Sequence, residues 1–357
     1  MKHLLDSPST YLRYDPSNAM NSLETLADQC EQAWHEVKKV DFSKSLKSLD
    51  RVVVCGMGGS DLGAYMIKSL FKRDLKVPFE IVHDYSLPEY VNNKTLVIAI
   101  SYSGSTEEAL SALKDARARK AKIAIIAGGK NLEASAKKNN IPAYIFDDSK
   151  NNVSRAPRMG VGLTLFGLVG IMKQLGYIKL AEKDALAAID HMRTVEKKWN
   201  GVVPLGKNAT KKLADVLHQK MPIYVASEHL WGNARIMRNQ THETCKTFAA
   251  HFDVPELNHH LMEGLAHPKE KHAMHFVLFP SKLYYTRIQK RYPITKAVIK
   301  KNGIDVSVVE LEGKTRLAQA LEALLFGGYV TFYMAMLNKL DPTPNPFVDF
   351  FKEQLKK

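Results

Sequence analysis

Residues Arg51 to Gly63 read R-V-V-V-C-G-M-G-G-S-D-L-G, and the order of residue types in this stretch decides the fold. Val52, Val53, Val54 and Cys55 form a short apolar run that stops at glycine, as a buried strand of a parallel sheet does. Gly56, Gly58 and Gly59 allow a tight turn, and from Ser60 onward Leu62, Met66, Ile67 and Leu70 recur at helical spacing. The stretch is a strand, a glycine loop and a helix. Such a loop aims free backbone N–H groups and the positive end of a helix dipole at one point, which suits an anion, most often phosphate.

A dinucleotide-binding turn begins in the same way, and Asp84 near the end of the next strand is placed to bind a ribose. Its third glycine, however, should fall at position 61, which is Asp61. The strand that follows decides between the two. Thr95 to Ile100 is again continuously apolar and runs into Ser101-Tyr102-Ser103-Gly104-Ser105-Thr106, then Glu107 and Glu108. A helix N-cap uses one hydroxyl; Ser101, Ser103 and Thr106 supply three beside one helix start. Both loops lie at the carboxyl ends of strands in an open α/β sheet, where ligands bind. Neutral hydroxyls and amides of this kind hold phosphate without a metal.

Working outward, apolar runs at 52–55, 79–82, 95–100, 123–126 and 143–146 alternate with helical segments, which predicts a parallel sheet covered on both faces. Helices are expected at 161–175 and 181–200, and Gly and Pro punctuate the chain near Asn200 to Pro204. A second set follows, with strands at 222–226, 275–279 and 306–311 and helices at about 208–219, 230–249, 283–301 and 315–339. Upstream, Met20, Leu23, Leu26, Cys30, Trp34 and Val37 are spaced as one amphipathic helix packing on the core. The expected division is a helical extension over 1–46, a phosphate-binding α/β subdomain over 47–200 and a second over 201–357, with the site between the two.

With 357 residues a large core is available. No secretory leader is apparent, and no stretch is expected to supply the roughly 20 apolar residues of a membrane span. The three cysteines, Cys30, Cys55 and Cys245, are odd in number and lack metal spacing, as in reduced cytoplasmic proteins. The net charge of +14 comes from 51 basic and 37 acidic residues. Those charges are scattered and no nucleic-acid-binding motif accompanies them, so the field reads as attraction for anionic small molecules. His259, His260, Glu263, His267, His272 and His275 crowd one region without H-E-x-x-H or comparable zinc spacing, and no metal or cofactor is expected.

Gly58-Gly59-Ser60 and the run Ser101 to Thr106 resemble the SIS (sugar isomerase) domain. In order after them come Pro157-Arg158 with Gly162, Pro255-Glu256-Leu257-Asn258-His259, and Asp341-Pro342-Thr343-Pro344 with Lys352. These resemble the bifunctional phosphoglucose/phosphomannose isomerase family, over about residues 50–357. The resemblance implies two SIS-like subdomains, each a parallel sheet flanked by helices. It also implies a homodimer and an aldose–ketose isomerase that moves a proton between C1 and C2 of a sugar phosphate through a cis-enediol. That chemistry needs a base, an acid/base for ring opening and positive charge near the enediolate.

By the same resemblance Glu243 is the base, although its flanks His242 and Thr244 replace the usual N-E-N. His259 opens the ring and in related isomerases can come from the neighbouring subunit. Arg158, with Arg155 as rival, faces the enediolate, and Lys352 is the near-terminal functional lysine. Gly59, Ser60, Ser101, Ser103 and Thr106 hold the phosphate. Two alternatives stay open: a sugar-phosphate sensor on the same fold, which would dispense with Glu243 and His259, and an SIS isomerase for another phosphosugar.

Overall fold

The computed structural model describes residues 3–42 and 44–356. Three helices come first: α1 (Pro8–Tyr14), α2 (Ala19–Glu24) and α3 (Leu26–Val37). The first sheet then alternates β1 (Arg51–Cys55), α4 (Leu62–Leu70), β2 (Phe79–Val82), β3 (Thr95–Ser101), α5 (Glu107–Ala118), β4 (Lys122–Ala127), α6 (Lys130–Asn139) and β5 (Ala143–Ile145). All its neighbours are parallel, in the order β2-β1-β3-β4-β5. In β1, Val52 and Val54 face the main core, while Val53 and Cys55 face a second apolar layer under α5 and α6, as the two-residue period of a strand requires. Both faces are covered, which explains the unbroken apolar runs.

Helices α7 (Val161–Gln174) and α8 (Glu182–Glu196) lead to the second half. There α9 (Ala209–Leu217), β6 (Met221–Ala226), α10 (Trp231–Thr244), β7 (Ala250–Asp253), α11 (Leu257–Gly264), β8 (Met274–Leu278), α12 (Thr286–Lys301) and β9 (Asp305–Val308) build a parallel sheet of order β7-β6-β8-β9. Then come α13 (Arg316–Leu337) and α14 (Pro346–Leu355). The fold class is that expected: two parallel sheets, each flanked by helices.

Four expectations need correction. The single helix expected over Met20 to Val37 is two, α2 and α3, because the Thr25 hydroxyl bonds the carbonyls of Asn21 (2.9 Å) and Asn151 (2.6 Å) at the break. Strand β7 was hidden because A-H-F-D is a half-buried edge strand with no apolar run. Helix α10 stops at Thr244, not near 249, because Lys246 is left-handed at φ 56°. Helix α13, at 22 residues and mean hydropathy 1.5, is long and apolar enough by composition to cross a membrane; its apolar window is wholly buried, as in the core helix of a globular protein.

The halves meet where α4 packs on α10. Gly232 lies so close to α4 that a Cβ there would stand 2.4 Å from the Tyr65 carbonyl oxygen. The Gly232 N–H donates to the Ser69 hydroxyl at 3.2 Å across the same seam. Glycine inside a helix ordinarily weakens it relative to alanine by ~1 kcal/mol. Here backbone contact reverses that sign, so Gly232→Ala is expected to lower stability by roughly 2 kcal/mol. A urea-unfolding midpoint at or above wild type would disprove the close packing.

Candidate active site

The glycine loop after β1 and the hydroxyl loop after β3 lie side by side. Ser60, buried, accepts the Tyr102 N–H at 2.9 Å, which ties the first loop to the second. Ser101 is fully buried, with its Oγ 2.8 Å from Thr106 Oγ1 and 3.4 Å from Ser103 Oγ. Thr106 occupies the N-cap of α5, yet its side chain makes no capping bond. Its hydroxyl therefore points into the cluster and not down the helix. Three hydroxyls gathered at a helix N-terminus form a small pocket suited to an oxyanion.

Gly59 connects this cradle to the rest of the site. A Cβ at Gly59 would lie 2.8 Å from the Arg158 backbone nitrogen and from Pro157 Cβ, so the glycine loop touches the Pro157-Arg158 main chain. From there the Arg158 side chain, only 1% exposed, runs into the protein. Its Nε donates to Thr244 Oγ1 at 3.2 Å, and Nη2 donates to the carbonyls of Pro342 and of Thr343, the latter at 2.8 Å. Nη1 lies 3.5 Å from Glu243 Oε2. The same carboxylate oxygen accepts from Asn345 Nδ2 at 3.2 Å. Burial lowers the Arg158 pKa from its ordinary value, opposed by Glu243 and Asp341, so the guanidinium depends on these partners.

Arg158, Glu243 and the Asp341-to-Pro344 loop are thus one cluster adjoining the glycine and hydroxyl loops. Arg155, the rival arginine, is exposed and takes no part in it. The Thr343 hydroxyl and Gln240 Oε1 are buried without a protein partner, while Gln240 Nε2 donates to the Arg158 carbonyl at 3.5 Å. Unpaired buried groups of this kind suit the hydroxyls of a polar ligand. The flanking His242 turns away to the main chain of Ala249 (2.9 Å) and stacks on Phe248.

His259 and Lys352 are not brought to this cluster within one chain. His259 is exposed on α11, whose position is held by Asn258 Nδ2 donating to Thr295 Oγ1 at 2.8 Å. Lys352 is exposed on α14, a helix with no buried residue. Sequence reasoning named Thr244 only as an altered flank of Glu243 and not as the residue that holds Arg158, and it missed Lys246 and Asn345, which surround Glu243. Cys55 and Cys245 are buried, and burial pushes their thiols up to about 12 and about 11, far from a reactive thiolate. Among the described residues no group of three or more His, Cys, Asp or Glu is placed to hold a metal ion. A cavity of about 350 Å³ lies elsewhere, between α9 and the segment after β9, and contains none of these residues.

The fold is that of an SIS-domain protein: residues 45–145 match the SIS domain family, and residues 206–355 match the bacterial phospho-glucose isomerase C-terminal SIS domain. A bifunctional phosphoglucose/phosphomannose isomerase of Caldicellulosiruptor bescii is 32% identical over 337 residues, covering 94% of this chain and 98% of that one. The Aquifex aeolicus protein of the same name is 27% identical, covering 94% and 99%. The chain belongs to the bifunctional phosphoglucose/phosphomannose isomerase family. Among solved structures, a hypothetical protein from Thermus thermophilus shares the fold at TM-score 0.73 with 16% identity, covering 95% of this chain and 90% of that chain. The C-terminal domain of glucosamine-fructose-6-phosphate aminotransferase from Francisella tularensis does so at 0.65 with 13% identity, covering 91% and 98%.

A lysine at position 158 has three donors on one atom and cannot span Thr244, Glu243 and two carbonyls at once. Arg158→Lys is therefore expected to destabilise the protein by on the order of 2 kcal/mol, read as a lower urea midpoint. An unchanged midpoint would show that the guanidinium contacts carry no stability.

Proposed function

We propose that this protein is a cytoplasmic, cofactor-independent isomerase that interconverts glucose 6-phosphate and mannose 6-phosphate with fructose 6-phosphate. The observation that carries this reading is Arg158, whose backbone abuts the phosphate loop while its side chain lies 3.5 Å from the Glu243 carboxylate. A sugar phosphate held by Gly59, Ser60, Ser101, Ser103 and Thr106 extends from its phosphate toward these two groups. Glu243 takes the proton from C2 of the open-chain aldose and returns it to C1, and the reverse. Arg158 stabilises the negative charge that develops on the enediolate oxygens. In the closed sugar, His259 moves the ring-opening proton, since imidazole both donates and accepts near neutral pH. Lys352 adds positive charge at the sugar end.

The exposure of His259 and Lys352 supports a further part of the reading, that the working unit is a homodimer in which the neighbouring subunit supplies His259. Phe347, Phe350, Phe351 and Leu355 on α14 are 88%, 61%, 60% and 57% exposed, an apolar face of the kind that marks an interaction surface. Light scattering is expected to give twice the chain mass, and Phe351→Asp to shift the protein toward monomer. A monomeric wild type with full activity would refute the shared site. The proposed organisation remains a helical extension over 1–46, a phosphate-binding subdomain over 47–200 and a second subdomain over 201–357.

The direct test is a coupled assay on fructose 6-phosphate with EDTA present, scoring both aldose products beside Glu243→Gln. Both products are expected, with the variant slower by roughly 10²- to 10⁴-fold. Loss of wild-type activity in EDTA would overturn the metal-free mechanism. Binding of fructose 6-phosphate without turnover would favour the sensor. A relative named D-glucosamine-6-phosphate 4-epimerase, 26% identical over 65% of this chain, makes amino-sugar phosphates the substrates to assay next.

A further inference from the structure

Glu243 lacks the flanking asparagines usual at this position in its family, yet its carboxylate is not left to find its own orientation. One residue after it α10 ends, and the chain turns through Lys246, whose left-handed backbone sends its side chain back over the helix terminus. The ammonium donates to the carbonyl oxygen of Glu243, to that of Pro344 at 2.5 Å and to Asn345 Oδ1 at 3.2 Å. An ammonium has three donors, and here each has an acceptor. Because an ammonium accepts nothing, the Asn345 atom facing it is the amide oxygen, and the amide nitrogen is left to face Glu243 Oε2 at 3.2 Å.

We propose that Lys246, acting through the Asn345 amide, is the positioning residue that holds the Glu243 carboxylate in line for proton transfer. The proposal rests on Glu243 being the base. Lys246 itself touches no reacting atom. It joins three things that must keep register: the last turn of α10, the loop carrying Thr343, and the base between them. A lysine at a helix C-terminus often does no more than bond the last carbonyls. Lys246 also bridges to a loop about a hundred residues away, and Asn345 passes the contact on to the carboxylate.

The groups that face this ammonium are Arg158 from the loop before α7, Glu243 and Cys245 from the end of α10, and Asp341 from the loop after α13. Burial, then repulsion from Arg158, lowers the Lys246 pKa to about 8, against the pull of Glu243, Cys245 and Asp341. Below that pH all three donors are present. Above it the amine loses one donor and its charge, so the grip on Asn345 weakens as pH rises.

The test uses the full-length enzyme on fructose 6-phosphate, with steady-state kinetics for Lys246→Met, Asn345→Ala, the double variant, Lys246→Arg and Glu243→Gln. Each of the first two is expected to lower kcat about tenfold with KM within about twofold, the size of one lost hydrogen bond to a charged group. Since both act through one contact, the double variant should be no slower than the worse single. Wild-type kcat is expected to fall above pH about 8, and Lys246→Arg should recover most of the rate and abolish that fall. Unchanged kcat with only a lower melting temperature, fully additive losses, or an alkaline fall retained in Lys246→Arg would each overturn the proposal. If Lys246→Met does not fold, Asn345→Ala, which removes one amide from a half-buried loop, provides the same kinetic test. A Glu243→Gln enzyme at full rate overturns the reading of the base itself, and the positioning role with it.

Discussion

A guanidinium that is 1% exposed cannot be left unpaired, and the second half of this molecule is arranged around satisfying the one on Arg158. Thr244 at the end of α10, two carbonyls of the loop after α13, and Glu243 all turn toward it. The helix end and the loop are far apart in sequence. Their shared need to solvate one buried charge fixes where α10 ends and how the loop after α13 runs. The glycine loop enters the same arrangement because Gly59 has no side chain to hold the Arg158 backbone away. Distance between an anion cradle and a carboxylate is thereby set by a single residue that touches both.

Much of the architecture was legible in the sequence, and the reason is burial. Strands such as Thr95–Ser101, buried along their whole length, are apolar at nearly every position, so they announce themselves. The glycine loop was equally plain, since close approach to another backbone tolerates little else. The edge strand β7 was not, because a strand half open to solvent accepts His251 and Asp253 as readily as valine. The break at Thr25 depends on the carbonyl of Asn151, which no local pattern encodes.

In the site the division is similar. Ser60, Ser101 and Thr106 could be named from the pattern of their loops, and Arg158 and Glu243 from the family resemblance. Arg155 and Arg158 could not be separated by spacing alone; one is exposed and the other buried. The contacts of Thr244, Lys246 and Asn345 are invisible in one dimension, since they join the end of α10 back to Arg158 and on to a loop about a hundred residues away. His259 and Lys352 were named from motifs, and the fold of one chain leaves both on its surface.

The buried helix α13 packs against α8 from the first half and α9 and α10 from the second, and one continuous apolar core runs from Leu5 to Leu337. The molecule therefore has two sheets that share one main core, with a second apolar layer only under α5 and α6. Cutting the chain between the halves would strip α13 of one side of its packing and expose a helix apolar all round. Each half is an architectural unit, and neither is an autonomous one. The first half has its full cover only once the chain has extended through α13.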